Sequence, residues 1–371
     1  MSGKDQSVVS KEALMSTKPG KKIMKQALFK SKGYKLFNKY KEETENEFPN
    51  FAKRFAEGLL HEIKSDTNPN STQQAFGDEV GSTEIILNSS EIEPIKSKLE
   101  SLDVLQDRVN RILNSNFVKM TFPVFNGLFD AAAEYSGRND PQLKQDMVEG
   151  HILAIDLSEP MDRIVDKDED LEFLDDYKLM NPYILKLARD KISKGGEQVL
   201  KEFEAGFEDA RIGQYLDEKL KSKPTTITEE EMTLSYKKYR AVMGTAGRNM
   251  ALAERPLAEI FYLGMARAAE GVGCGNEIED SIKNGFVKIP SWPLYYSLLA
   301  NDAKKGFEIT MEKSNLYLED ARLTLELLPE NFSHKEFLEF LFLTVEHYNQ
   351  FWYNKLQKAN KWSEFQSKLP K

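Results

Sequence analysis

Apolar residues recur three or four positions apart along almost the whole chain, and this helical period is the feature that most restricts the fold. No sustained alternation of apolar and polar residues indicates a β-strand. The pattern predicts an all-α protein with a single large domain of about ten to twelve helices, too irregular for a solenoid repeat. Clusters of small and polar residues predict loops over Ser65–Glu84 and Gly271–Gly285 and a helix break at Gly244–Gly247.

Composition excludes several classes of protein. The 371 residues carry a formal net charge of -9, which argues against nucleic acid as the main partner. The lone Cys274 permits no intramolecular disulfide, and the four histidines lack the spacing of a zinc site. No apolar run approaches the roughly 20 residues that a membrane-spanning helix needs. Nothing in the sequence indicates an obligate protein partner.

The first 41 residues differ from the rest because they are rich in lysine and almost free of acids. Two readings stay open, a flexible arm leading into a solvated helix or the remnant of an organelle-targeting segment. We divide the chain into a basic N-terminal arm (1–41) and an α-helical domain (42–371). The protein is expected to be soluble, in the cytoplasm or, with a targeting remnant, in the plastid stroma.

The stretch Trp292–Leu318 predicts one long helix with an unusual polar stripe. Asn301, Lys305 and Glu308 are three or four residues apart and therefore share a face, and Asp302 lies beside them. An amide, an ammonium and carboxylates on an apolar helix are costly unless they face water, each other or a ligand. The stripe is thus either a solvated helix face or a binding site.

A second polar group interrupts another apolar helix, predicted over Gln142–Ile164. Asp156 and Glu159 are three residues apart on one face, and Asp162 follows after three more. Together with the stripe at Asn301, the pair favours a binding site over two unrelated solvated faces.

The order of these features resembles class I terpene synthases over about residues 117–360. In that family two acidic motifs on separate helices bind Mg²⁺ and a prenyl diphosphate, and an arginine ahead of a helix break senses the diphosphate. The resemblance implies helices around an apolar cavity that holds a carbocation, with aromatic faces to stabilise it. It also implies two sets of residues: Asp156, Glu159, Asn301 and Glu308 for Mg²⁺, and Arg240, Lys305 and Tyr353 for the diphosphate.

The chain departs from the family pattern at both motifs. The aspartate-rich motif is reduced to Asp156 and Glu159, and Lys305 stands where the second motif has Ser or Thr. A protonated lysine does not bind Mg²⁺, but its charge can replace one ion beside a diphosphate. We therefore expect fewer Mg²⁺ ions than in a usual cyclase. Arg255 is the alternative diphosphate sensor to Arg240.

Such degenerate motifs look like those of the algal N-prenyltransferases of kainoid biosynthesis, which join a prenyl diphosphate to the amine of L-glutamate. That resemblance implies an N-prenyltransferase using geranyl or dimethylallyl diphosphate, with basic and hydroxyl groups for the acceptor's carboxylates. The candidates for acceptor binding are Tyr239, Arg248, Arg255 and Lys288. The alternatives are a terpene cyclase and a non-catalytic helical scaffold.

Overall fold

The computed structural model describes residues 30–113, 118–156, 158–165, 172–252, 254–288 and 290–370. Within these ranges the chain forms sixteen α-helices and no β-strand, which confirms the predicted all-α class. A 3₁₀ turn (Ser193–Gly195) joins α8 to α9, and a π-helical turn (Ser281–Gly285) follows α12. The helices are α1 (Lys32–Ser65), α2 (Pro69–Val80), α3 (Ser89–Leu99), α4 (Leu102–Leu113), α5 (Val118–Ser136), α6 (Pro141–Asp156), α7 (Ser158–Val165), α8 (Leu174–Ile192), α9 (Glu197–Lys221), α10 (Glu229–Ser235), α11 (Lys237–Met250), α12 (Leu257–Asp280), α13 (Trp292–Ala300), α14 (Ala303–Leu325), α15 (Lys335–Ala359) and α16 (Trp362–Lys368).

The loop predicted over Ser65–Glu84 is wrong, because this segment contains α2. Asn68 caps the amino end of the helix, Pro69 occupies its first turn, and Gly81 closes it with φ of 69°. These residues are ordinary start and stop signals. The high content of small and polar residues concealed them.

The prediction of one helix over Trp292–Leu318 is also wrong. Asn301 ends α13 in the left-handed region (φ 51°), and the Asp302 carboxylate caps α14 by accepting the Lys305 backbone N–H at 3.0 Å. Gly306 then lets the helices pack closely, since a Cβ there would lie 2.0 Å from the Ser297 hydroxyl oxygen. The Asn-Asp pair that suggested a polar stripe is therefore a pair of helix caps.

The glycine-rich stretches predicted as a loop and a break are helical. α12 continues to Asp280 through the first part of Gly271–Gly285, and Gly244–Gly247 lies inside α11. α12 is central and must pass close to its neighbours: a Cβ on Gly273 would lie 2.9 Å from the Tyr239 ring. Glycine here permits close helix contact rather than a turn.

Helices α6, α8, α9, α11 and α12 alternate in direction. One end of the bundle holds the amino-terminal parts of α6, α9 and α12 and the carboxyl-terminal parts of α8 and α11. The carboxyl ends of α6, α9 and α12 therefore share the opposite end of the bundle. The contacts that fix this order are Lys191 with Asp146, Arg189 with Glu204, Arg248 with Glu202, and Gly247 against the Phe261 carbonyl oxygen.

The interior between α5, α6, α9 and α11 is filled by side chains. The His151 ring lies 6.1 Å from both Phe125 and Phe203, and its Nε2 is 3.2 Å from the Asn249 amide nitrogen. Burial lowers the pKa of His151 to about 4, so the ring is neutral at physiological pH.

Two small cavities lie between the described helices. One lies between α5 and the end of α11, and another lies between α5, α12, α14 and α15. Each has a volume of about 10 Å³, which is room for one water at most. Neither of these two cavities has room for a prenyl chain.

The boundary predicted at residue 41 falls inside α1. Phe37 and Tyr40 are buried, and a Cβ on Gly33 would lie 2.0 Å from the Glu336 carbonyl oxygen of α15. The last part of the predicted arm, residues 30–41, is thus packed into the domain, while residues 1–29 lie outside the described residues. No helix in the described ranges has the length and apolar character to cross a membrane.

Candidate functional site

Polar residues gather where the carboxyl ends of α9 and α12 meet the amino end of α11. We call this group the carboxyl-end cluster. α15 contributes a tyrosine to it from the side of α12. Its members are Gln214, Asp217, Lys238, Asn276, Glu279, Asp280 and Tyr348.

Lys238 supplies a cation to the cluster. Its ammonium lies 2.6 Å from the Asp217 carboxylate and 3.2 Å from the Gln214 amide oxygen. α9 and α11 approach closely here because a Cβ on Gly213 would lie 2.5 Å from the Lys238 backbone nitrogen. The Lys238 and Asp217 side chains are each 22% exposed, so the pair is partly screened from water.

Tyr348 supplies a hydroxyl. Its oxygen lies 2.7 Å from the Asn276 amide oxygen and 2.6 Å from the Glu279 carboxylate. Burial and the neighbouring Glu279 raise the pKa of Tyr348, so the group remains a donor. With one proton it donates to one of these oxygens at a time.

Two further ammonium groups lie beside an indole at the π-helical turn. Lys283 pairs with Glu279, and its ammonium is 5.2 Å from the Trp352 ring centre. The Lys355 ammonium is 4.3 Å from the same ring. A π-helical turn often marks a functional site, and here it places Lys283 beside a ring that Lys355 of α15 also approaches.

The acids at the end of α12 are less acidic than free carboxyls. Burial raises the pKa of Asp280, and the adjacent Glu279 charge adds to the effect. Burial raises the pKa of Glu277 to about 8, although Glu277 accepts the Trp292 backbone N–H at 2.9 Å. Carboxyl groups with raised pKa values are suited to accepting a proton near neutral pH.

Of the residues predicted to bind Mg²⁺, the structure describes the side chains of Asn301 and Glu308. Asp156 is the last residue of α6 and Glu159 lies in α7, but both side chains lie outside the described residues. Asn301 is exposed, and Glu308 lies 3.6 Å from Lys305 on α14. α11 and α12 lie between α6 and α14.

The residues predicted to bind the diphosphate are also dispersed. Arg240 binds Glu270 on another face of α12, with Nη2 to Oε1 at 2.7 Å. Lys305 is exposed at the start of α14, and Tyr353 is half-buried against the cluster of α13 to α16. Neither Lys305 nor Arg240 contacts the carboxyl-end cluster in the described contacts.

Of the predicted acceptor-binding residues, Tyr239 lies next to the carboxyl-end cluster. Its ring is 5.1 Å from that of Tyr236, and burial raises its pKa. Arg248 and Arg255 lie at the opposite end of α11, where both pair with Glu202. Lys288 is exposed beyond the π-helical turn.

The described carboxylates do not fit a metal ion. No group of three or more His, Cys, Asp or Glu side chains in the described ranges has the arrangement that holds a metal. In the carboxyl-end cluster, Asp217 and Glu279 are paired with lysines instead. We therefore derive no step through Mg²⁺.

Sequence reasoning missed most of this cluster because it assigned the end of α12 to a loop. The run Asn276-Glu277-Ile278-Glu279-Asp280 carries a clear acidic signal. Surrounding glycines concealed its helical position.

Comparison of the whole structure with solved structures finds the same fold in prenyl diphosphate synthases. A geranylgeranyl pyrophosphate synthetase from the archaeon Geoglobus acetivorans matches 78% of this chain and 98% of its own, with 12% identity and a TM-score of 0.54. A geranyltranstransferase from Methanosarcina mazei matches 78% and 99%, with 14% identity and a TM-score of 0.54. A decaprenyl diphosphate synthase from Rhodobacter capsulatus matches 77% and 99%, with 11% identity and a TM-score of 0.57.

No family model matches the sequence, and no curated protein matches it. The chain has the all-α fold of these synthases, which agrees with the terpene-synthase-like fold expected from the sequence. At such low identity the likeness establishes the fold alone. Nothing in the comparisons bears on the kainoid N-prenyltransferases.

Proposed function

We propose that the protein is a prenyltransferase that binds an allylic prenyl diphosphate at the carboxyl-end cluster and transfers the prenyl group to the amine of an amino acid, L-glutamate. The observation that carries this is the meeting of cations, a hydroxyl and weakly acidic carboxyls at the end of α12. This end also receives the carboxyl end of α6, where Asp156 lies. The fold of prenyl diphosphate synthases supports the substrate class.

Each group has a role in the proposed transfer. Lys283 and Lys355 neutralise the charge that develops on the departing diphosphate, and Trp352 stabilises the allylic cation through its ring. The allylic carbon–oxygen bond breaks, and a carbon–nitrogen bond forms to the acceptor amine. Asp280 takes the proton that the amine loses, while Lys238 binds an acceptor carboxylate.

A helical protein without catalysis is the second candidate. The ion pairs within the carboxyl-end cluster favour it, because Asp217 already binds Lys238 and Glu279 already binds Lys283. The next experiment distinguishes the two.

The test is incubation of the full-length protein with geranyl diphosphate and L-glutamate, with Mg²⁺ or with a chelator. Release of diphosphate and the mass of an N-geranyl amino acid are measured. We expect product from the wild type, and loss of product in Asp280→Asn but not in Asp103→Asn, an exposed control on α4. The chelator arm tests whether turnover needs Mg²⁺, the ion that the sequence predicts at Asp156 and Glu159.

Other outcomes separate the alternatives. Diphosphate release with a hydrocarbon product and no use of an amino acid would indicate a cyclase. If geranyl diphosphate neither turns over nor raises the melting temperature of the protein, the result supports the non-catalytic helical scaffold. Ligand that binds only the native state must raise that temperature.

A further inference from the structure

A second polar site lies on the outer face of α12, away from the carboxyl-end cluster. Side chains of α11, α12 and α14 meet there, and the first turns of α13 pack beside them. This site plays no part in the proposed transfer. We call it the outer groove, lined by Arg240, Arg267, Glu270, Trp292, Tyr296, Lys313 and Tyr317.

Glu270 holds two arginines in place. Its side chain is 3% exposed, and its Oε1 accepts from Arg240 Nε at 3.1 Å and Nη2 at 2.7 Å. Its Oε2 accepts from Arg267 Nη1 at 2.8 Å. One buried carboxylate therefore fixes guanidinium groups from two different helices.

Both arginines retain donors directed away from that carboxylate. Arg240 Nη1 and Arg267 Nη2 make no hydrogen bond to a described residue. The two side chains are 42% and 33% exposed, so these nitrogens are accessible to a ligand. A guanidinium presents paired donors that match the geometry of phosphate oxygens.

Aromatic rings and a third cation complete the groove. The Lys313 ammonium is 4.0 Å from the Trp292 ring centre and 5.3 Å from that of Tyr317. Within the described ranges Lys313 forms no ion pair, so these rings are its observed partners. The Arg267 guanidinium is 5.5 Å from the same Tyr317 ring, and Tyr296 stacks on Trp292 at 5.3 Å.

Acids and cations are both present at the outer groove. Arg240, Arg267 and Lys313 lie with the buried Glu270 and with Asp320, whose carboxylate is 3.4 Å from Arg267 Nε. The Glu229 carboxylate acts on Tyr296 from α10. The features that suit an anion are therefore the free donors of the two arginines and Lys313 without an ion pair in the described ranges, beside aromatic rings.

We propose that the outer groove binds a small phosphate ester with an aromatic or unsaturated body. The phosphate lies between Arg240, Arg267 and Lys313, and the body packs against Tyr317 and Tyr296. Glu270 acts as a positioning residue that sets the spacing of the guanidinium groups. A structural ion pair that only joins α11 to α12 would need neither the free donors nor the unpaired Lys313.

The test is titration calorimetry of the full-length protein with phenyl phosphate and, separately, inorganic phosphate at low ionic strength. We expect saturable binding of phenyl phosphate, tighter than that of inorganic phosphate. Arg267→Gln and Lys313→Met each weaken it about tenfold or more, because each removes a charged donor. Tyr317→Leu removes the preference for the phenyl group and leaves binding of inorganic phosphate.

The matched control is Arg211→Gln on α9. Arg211 has a similar exposure of 31% and pairs with a glutamate at the same helical spacing, but lies outside the groove. We expect it to bind phenyl phosphate like the wild type. Thermal unfolding of each variant shows that a loss of binding is not a loss of fold.

Three results would overturn the proposal. One is no saturable binding by the wild type, and another is wild-type binding by Arg267→Gln and Lys313→Met. The third is loss of binding in Lys238→Gln alone, which would assign the phosphate to the carboxyl-end cluster. Because Arg267 and Lys313 take no part in the proposed transfer, failure of this proposal leaves prenyl transfer intact, and the reverse also holds.

Discussion

Replacing Glu277 by Gln should stabilise the protein at neutral pH. Glu277 is 8% exposed at the end of α12, and burial raises its pKa to about 8 from the ordinary 4.5. Its folded form therefore binds a proton that the unfolded chain has already lost at neutral pH. Stability must then fall as the pH rises from about 4.5 to about 8, and not further.

The size of the effect follows from the two pKa values. The difference between about 8 and 4.5 corresponds to roughly 5 kcal/mol above pH 8, and to about 3 kcal/mol at pH 7. The glutamine side chain of the variant is neutral at every pH and retains an oxygen to accept the Trp292 N–H. The gain over the wild type should therefore be small at about pH 4 and grow by a few kcal/mol by pH 8.

Urea unfolding followed by helical circular dichroism measures this difference. Wild type, Glu277→Gln and the control Glu312→Gln, an exposed glutamate on α14, are compared from about pH 4.5 to about pH 8.5. The two variants should diverge as the pH rises. Parallel stability curves for wild type and Glu277→Gln would refute the reasoning, because they would mean that Glu277 ionises normally in the folded protein.

Three further perturbations test the packing and the caps. Gly275→Ala should lower the free energy of unfolding by about 1–3 kcal/mol, because the added Cβ would lie 1.9 Å from a buried amide oxygen. Gly58→Ala, whose Cβ would have 3.4 Å of space, should raise the free energy of unfolding by about 0.5–1 kcal/mol. Equal melting temperatures for the two variants would contradict this. Asn301→Ala should lower the free energy of unfolding by about 1 kcal/mol and Asn301→Gly should not, and both variants should keep their turnover. Loss of diphosphate release in both variants would restore Asn301 as a metal ligand. Burial would raise the pKa of Glu134, but hydrogen bonds from His334 and Ser333 lower it. Glu134→Gln should therefore lower the free energy of unfolding by about 1 kcal/mol at pH 7, and this deficit should close as the pH falls below about 4.5. A deficit in urea unfolding that stays constant with pH would exclude this pairing.

The sequence by itself determined the all-α class and several helix limits. Helical periodicity is a local property, and so are caps: Thr228 and Glu231 form the start of α10, with the Glu231 N–H donating to the Thr228 hydroxyl at 3.2 Å. These features need only residues a few positions apart along the chain.

Tertiary structure alone decided the position of the candidate sites. Asn301 and Asp302 looked like a polar face because an amide and a carboxylate are equally at home in a helix stripe and in a pair of caps. The choice depended on Gly306, which allows α14 to pack against Ser297 of α13. Such a contact is not encoded in periodicity.

Glycine had the opposite meaning at the centre of the bundle. Three glycines of α12, Gly271, Gly273 and Gly275, suggested a loop. In the structure they leave room for α11, α14 and α15 to pack against that helix at short distance. Which face of α12 meets which neighbour also separated Arg240 and Glu270 from Tyr348 and Glu279. The sequence lists the charged residues, but only packing decides which of them share a site, because the partners come from helices far apart in the chain.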